Sequence, residues 1–534
     1  MILSVRFGPA AGAALRRAAR GDSAQGSALA TFRAASCPTF GATVTQRRWR
    51  AFAVVASALW AAALHPAAAA PTTECRVPGL RNSVQCGVVR RALDPARPDG
   101  PMIDVHYVVV PAVARRKLPD PIFLLAGGPG QSAIQLAPSV MGLLSRLGNR
   151  RDIVFVDQRG TGQSAPLVCE ESGREPLADQ VDPERQVLRL AQCRAKLQLL
   201  PYIQAPADLR FFTTVLAMQD LDAVRRHLGA QRINLVGASY GTRAALEYQR
   251  QFPAQVRRSV IDGVAPPDMV LPASSGADGQ TALDALLASC PQEPACAARY
   301  PTLLADWAAL LQSLPQRVSV PHPLAGQVED FVLTREMLLA AVRGPLYSPA
   351  LAAGLPAAIH AAAQGNVAGL MGMSALLSSH RGGQVAMGMH FSVVCAEDVP
   401  LLAPAGASDA AADASSHLYR RVCADWPRAE VPAAFYSVPV SASPVLLLSG
   451  GLDPATPPRH GARVARALGA LAQHVVVPNA GHGVMGLGCM RDVIYRFIDA
   501  VDDKDAVAVD ATCAALIPRP PAFQPVGAAG GAMP

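Results

Sequence analysis

Short apolar runs alternate with amphipathic stretches along most of this chain. Met102 to Val110 alternates and then turns apolar, which predicts a strand, and Pro121 to Ala126 is a continuous apolar run suited to a sheet covered on both faces. Ile153-Val154-Phe155-Val156 is a third run. Val215, Met218, Leu221, Val224 and Leu228 then recur at helical spacing, Gly229 stops that helix, and Ile233 to Val236 reads as the next buried strand. Ser259-Val260-Ile261 follows, ending at Asp262. From about residue 268 to 438 the rhythm changes to Ala- and Leu-rich stretches expected to be helical, without buried strands. Strand rhythm returns at Val445 to Leu448 and at His474 to Val477, and the last helix carries Met490, Val493, Ile494, Phe497, Ile498 and Val501 on one face. Apolar strands alternating with amphipathic helices predict an α/β fold with a mostly parallel central sheet.

This pattern divides the chain into a leader over residues 1–70, a first part of the core over 71–267, an inserted helical cap over 268–438, the C-terminal part of the core over 439–516, and a disordered Pro-, Gly- and Ala-rich tail over 517–534. No internal repeat is visible.

The leader has the form of an export signal. Arg47, Arg48 and Arg50 precede an uncharged stretch from Ala51 to Leu64, and Ala67 to Ala70 offers cleavage near Ala69–Pro71. That stretch is short for a bilayer span, so no membrane anchor is expected and the mature chain is expected to be secreted or periplasmic. The formal charge of +8 also belongs to the leader, which holds eight Arg against Asp22. The remainder carries 40 basic against 39 acidic side chains, so nucleic-acid binding is not indicated. Beyond Cys37 the ten cysteines fall into five neighbouring pairs, consistent with disulfides made in an oxidising compartment. No two-residue cysteine spacing with nearby histidines suggests a metal, and no cofactor is implied.

The chemistry centres on Gly237-Ala238-Ser239-Tyr240-Gly241, the nucleophile-elbow pattern between a strand and a helix. In a chain with 43 glycines the five-residue pattern alone is weak. A serine hydroxyl needs a histidine to take its proton, and that imidazole needs a carboxylate to fix its tautomer. Asp453 follows the run Val445 to Leu448, and His482 follows His474 to Val477, so serine, acid and histidine each lie beyond a strand in an order compatible with a triad. Asp262, also beyond a strand, is a rival acid. Tyr240, after the nucleophile, can supply one oxyanion-stabilising N–H, and Gly128 in the turn after an early strand the other.

Gly127-Gly128-Pro129-Gly130, Asp157-Gln158-Arg159-Gly160-Thr161-Gly162-Gln163-Ser164, Gly237 to Gly241, Asp453 and Gly481-His482 together resemble the proline iminopeptidase and tripeptidyl aminopeptidase group of α/β-hydrolases, over roughly residues 75 to 500. Ala126 stands where such relatives carry a histidine. The resemblance implies an α/β-hydrolase fold with a cap lobe and a serine exopeptidase acting on peptides with a free N-terminus, expected to be a monomer. It makes Asp157 and Arg159 supporting, ion-pairing residues, and it points to Glu397 and Asp398 as carboxylates that read the substrate amine, against the plainer possibility of solvated loop residues. A carboxylesterase or lipase with the same triad is the alternative. A binding protein that had lost the chemistry is disfavoured because all three residues are present, and an epoxide hydrolase would need a carboxylate where Ser239 stands.

Overall fold

A computed structural model describes residues 72–169, 174–378, 384–404 and 410–525. The expected leader, its cleavage site and the last part of the expected tail lie outside the described residues.

Nine strands form one sheet: β1 (Thr73–Cys75), β2 (Val84–Ala92), β3 (Met102–Val110), β4 (Ile122–Leu125), β5 (Ile153–Val156), β6 (Ile233–Ala238), β7 (Val256–Asp262), β10 (Val445–Gly450) and β11 (Ala472–Val477). Their spatial order is β1-β2-β3-β5-β4-β6-β7-β10-β11. β1, β2 and β3 run antiparallel and β3 joins β5 antiparallel, while β5, β4, β6, β7, β10 and β11 are mutually parallel. Every residue of β4, β5 and β10 is buried, as a parallel sheet covered on both faces requires. Phe123, Val154, Leu235 and Leu447 pack on one face, and Leu124, Phe155, Val236 and Leu448 on the other. The fold class expected from the sequence holds.

After β4 the chain goes to one side to make β5, then returns to the other side to make β6. The crevice beyond the carboxyl ends of β4 and β6 is therefore the switch point of the sheet, where open α/β sheets place their ligands.

The segment between β7 and β10 differs from the expected all-helical cap in two ways. It carries a hairpin, β8 (Gln316–Pro321) with β9 (Val328–Leu333), whose Val320, Phe331 and Leu333 turn inward among the lobe's helices. Among the described residues of this segment, those from about 282 to 373 form a separate core around Leu283, Trp307, Leu355 and Ile359. The helix Met387–Glu397 instead buries Met389, Phe391 and Val393 in the core of the sheet. The expected disorder from 517 is also corrected at its start: Ala522 is buried, and Phe523 donates to Ala353 and accepts from the Tyr300 hydroxyl. Val501, expected on the last apolar face, lies beyond the helix Met490–Asp499 and is exposed.

The five cysteine pairs form as neighbours: Cys75–Cys86, Cys169–Cys193, Cys290–Cys296, Cys395–Cys423 and Cys489–Cys513. Among the described residues no helix is long and apolar enough to cross a membrane.

Candidate active site

β6 ends in a turn that holds Ser239 at φ +56° and ψ −124°, in the left-handed region that a side chain rarely occupies. The glycines around it leave room for this. A Cβ on Gly241 would lie 2.2 Å from the Leu125 carbonyl oxygen, so the helix Tyr240–Gln251 can start against β4 only without a side chain there. The Ser239 N–H donates to the Asp262 carbonyl at 2.9 Å, and its own carbonyl accepts the Thr242 hydroxyl at 2.6 Å. The Ser239 backbone is thus held from both sides.

The turn after β4 passes directly beside the serine. A Cβ on Gly127 would come within 3.2 Å of Ser239 Cβ, and Gly128 sits at φ +108°. Tyr240 opens its helix, where the first backbone N–H groups have no acceptor within the helix and the macrodipole is positive. Tyr240 thus adjoins the serine in sequence, and Gly128 follows Gly127, which approaches it.

Asp453 and His482 meet as expected, with His482 Nδ1 2.8 Å from Asp453 Oδ2. The carboxylate is buried and otherwise satisfied: Oδ1 accepts the Ala455 and Thr456 N–H groups, and Oδ2 the Thr456 hydroxyl. Burial alone would raise the Asp453 pKa, but the imidazole and these donors hold it below the ordinary value. Burial likewise works against charge on His482, yet Asp453 outweighs it and raises the imidazole pKa. The His482 backbone N–H donates to the Tyr347 carbonyl, and the two rings meet edge to face at 5.1 Å. The His482 ring also lies against Gly263, where a Cβ would be 2.9 Å from Cε1, one residue beyond the Asp262 carbonyl that holds Ser239. The end of β7 thus touches both the Ser239 backbone, through the Asp262 carbonyl, and the His482 ring, through Gly263. The rival acid, Asp262, does not hold the histidine ring; its Oδ2 accepts the Val484 and Met485 N–H groups.

The carboxylates expected to read an amine are fully buried and occupied. Asp398 receives Arg243 through both terminal nitrogens, at 3.0 and 3.2 Å, and the Leu271 N–H at 2.9 Å. Glu397 accepts the N–H and hydroxyl of Thr214, both at 2.8 Å, and lies 3.9 Å from Arg243. Reading an amine needs a free carboxylate facing the crevice, and Asp398 has none to offer. Burial dominates at Glu397 and pushes its pKa up to about 8, against the pull of Arg243 and the Thr214 donors. The Thr214 hydroxyl also meets the Tyr240 phenol at 2.6 Å, so this cluster backs the elbow from behind.

Arg159 forms the expected ion pair, with Asp220 at 2.7 and 3.0 Å. Asp157 does not. It accepts the Ser132 hydroxyl at 2.6 Å and the N–H groups of Ile134 and Gln163, tying the helix after the Gly127–Gly130 turn to the loop after β5.

One residue escaped the sequence reading. His390, on the helix Met387–Glu397, places Nδ1 3.3 Å from the Pro129 carbonyl and Nε2 2.8 Å from the Tyr419 hydroxyl. Burial lowers its pKa, and the carbonyl can only accept, so the neutral ring carries its proton on Nδ1. It braces the Gly127–Gly130 turn, whose preceding position is Ala126. Its sequence neighbours contain no strand end or glycine pair to mark it.

Among the described residues no group of three His, Cys, Asp or Glu side chains is placed to hold a metal ion.

A family model described as alpha/beta hydrolase fold matches residues 120–488. The chain is 28% identical over 202 residues to the serine protease Hip1 of Mycobacterium tuberculosis, covering 36% of this chain and 38% of that protein. It is 31% identical over 197 residues to the tripeptidyl aminopeptidase of Streptomyces lividans, covering 35% and 36%. It is 28% identical over 430 residues to carboxylesterase B of Mycobacterium tuberculosis, covering 73% and 79%. The matches to the first two span little more than a third of those relatives' length.

Proposed function

This chain belongs to the α/β-hydrolase family, and from that premise we propose that it is a serine exopeptidase working through Ser239, His482 and Asp453. The observation that carries the reading is the 2.8 Å pair of His482 Nδ1 and Asp453 Oδ2, with the end of β7 touching both the His482 ring and the backbone of the strained Ser239. His482 takes the Ser239 proton as the hydroxyl oxygen attacks the scissile carbonyl. Asp453 keeps the ring in the tautomer that allows this and stabilises the imidazolium that forms. The N–H groups of Gly128 and Tyr240 receive the developing oxyanion, helped by the positive end of the helix that Tyr240 opens. The imidazolium gives its proton to the leaving amine, and water then hydrolyses the acyl-enzyme by the same route.

A peptide substrate with a free N-terminus is supported by the similarity to a serine protease and a tripeptidyl aminopeptidase. We place the protein outside the cytoplasm, as a monomer; the five disulfides support the compartment. The ammonium is not assigned to Glu397 or Asp398, whose buried oxygens are taken by Thr214 and by Arg243.

The similarity to a carboxylesterase, which covers more of the chain, supports esterase activity on the same triad as the second reading. Hydrolysis of proline arylamide, a tripeptide arylamide, its N-acetylated form and a butyrate ester, each repeated with Ser239→Ala, separates the two. An exopeptidase loses turnover on acetylation and on Ser239→Ala. Ester turnover alone, or indifference to acetylation, overturns the exopeptidase reading.

A further inference from the structure

Asp262 has no part in the mechanism above, yet it touches both halves of the site. Its backbone carbonyl accepts the Ser239 N–H at 2.9 Å. Its carboxylate Oδ2 accepts the N–H groups of Val484 and Met485 at 2.7 and 2.8 Å, the residues that follow His482-Gly483. The next residue, Gly263, donates its N–H to the Leu448 carbonyl of β10 at 3.0 Å and packs against the His482 ring. Asp262 is fully buried, and its Oδ1 has no hydrogen-bond partner among the described residues. A buried carboxylate with one oxygen unpaired costs stability, so core packing does not account for it.

We propose that Asp262 is a positioning residue that fixes the nucleophile and the histidine loop to each other through one rigid point at the end of β7. The proposal rests on the reading of Ser239 and His482 given above. A single residue sets two backbone positions because one carbonyl and one carboxylate leave the same Cα. Without the carboxylate, the turn carrying His482 keeps the Tyr347 contact but loses the two bonds directed at the serine side. Small displacements of a reacting pair cost rate far more than they cost binding.

The titratable groups that face this carboxylate are His482 and Asp453. Burial raises its pKa, the two amides and His482 lower it, and Asp453 raises it again, leaving it at about 6. Its charge therefore appears in the pH range where an imidazole gives up its proton, and supports the imidazolium.

The test compares Asp262→Asn, which keeps an acceptor oxygen but no charge, with Asp262→Ala, which keeps neither. Steady-state kinetics use whichever arylamide or ester the wild type turns over, with fluorophosphonate labelling of Ser239 and a melting curve for each variant. Asp262→Ala is expected to lose on the order of 100-fold in kcat with KM little changed, and Asp262→Asn to recover most of that loss. In Asp262→Asn the acid limb of kcat/KM is expected to move to lower pH and to sharpen to a single ionisation. If Asp262→Ala does not fold, the Asp262→Asn profile decides. An unmoved acid limb in Asp262→Asn, a kcat within about two-fold of wild type in Asp262→Ala, or a defect confined to KM would overturn the proposal. A wild type that neither turns over substrate nor takes the phosphonate would overturn the serine-hydrolase mechanism and this proposal together; a reactive wild type with normal Asp262 variants would overturn this proposal alone.

Discussion

Arg243→Met should destabilise the protein by about 3–5 kcal/mol, the range for breaking a buried ion pair by removing one partner. Arg243 is fully buried, gives Asp398 two hydrogen bonds and the Met269 carbonyl a third, and leaves Asp398 with only the Leu271 N–H once it is gone. The converse change, Asp398→Asn, should cost about half as much, because a second carboxyl stands ready. Glu397 lies 3.9 Å from Arg243, and its pKa is raised to about 8 by burial, with Asp398 adding to the rise. Removing the Asp398 charge leaves Glu397 as the counter-ion of Arg243 and draws its pKa down. The pH dependence follows with a definite sign. In the wild type, a folded-state pKa above the ordinary glutamate value of 4.5 gives a contribution fully present at low pH and lost as pH rises through about 8. Wild-type stability should therefore fall by on the order of a few kcal/mol between about pH 5 and about pH 9, and Asp398→Asn should flatten that fall. Urea unfolding at several pH values, with the slope m monitored, reads all of this. A cost below about 1 kcal/mol for Arg243→Met, or an Asp398→Asn variant as unstable as Arg243→Met with an unchanged pH slope, would refute the reasoning. An Asp398→Asn variant of normal stability with raised KM only for free-amine substrates would restore the amine-reading role.

Asp453→Asn should lower kcat by roughly 10³–10⁴-fold and shift the acid limb of kcat/KM to lower pH, since Asp453 outweighs burial in raising the His482 pKa; the pH–rate profile measures both. Gly241→Ala should destabilise by about 3 kcal/mol or more, visible as a lowered Tm, because its Cβ would sit 2.2 Å from the Leu125 carbonyl oxygen. Replacing Cys395 and Cys423 together by Ala should cost about 3–4 kcal/mol in urea unfolding, as their link closes a separation of 28 residues.

The sheet was legible because a parallel strand buried on both faces must be apolar throughout, and Ile122 to Leu125, Ile153 to Val156 and Val445 to Leu448 carry that mark locally. The elbow was legible for a similar reason: steric demands on Gly237 and Gly241 are written at fixed offsets from Ser239. Acid and histidine could be named because each follows a strand, and the parallel order brings strand ends to one edge. Neighbouring cysteines paired because short loops close readily. Other features have no local mark. Whether Glu397 and Asp398 face a substrate or an arginine depends on Arg243, more than 150 positions earlier, and on the packing of two helices that brings it there. The same holds for His390 under Pro129, for Asp262 beneath the histidine loop, and for the helix Met387–Glu397, apolar like its lobe neighbours but packed into the sheet's core. The sequence determined the periodicities, the turns and the residues able to do chemistry. Only the tertiary structure decided which buried charges meet, because an ion pair is chosen by distance in space and by the scarcity of other partners once water is excluded.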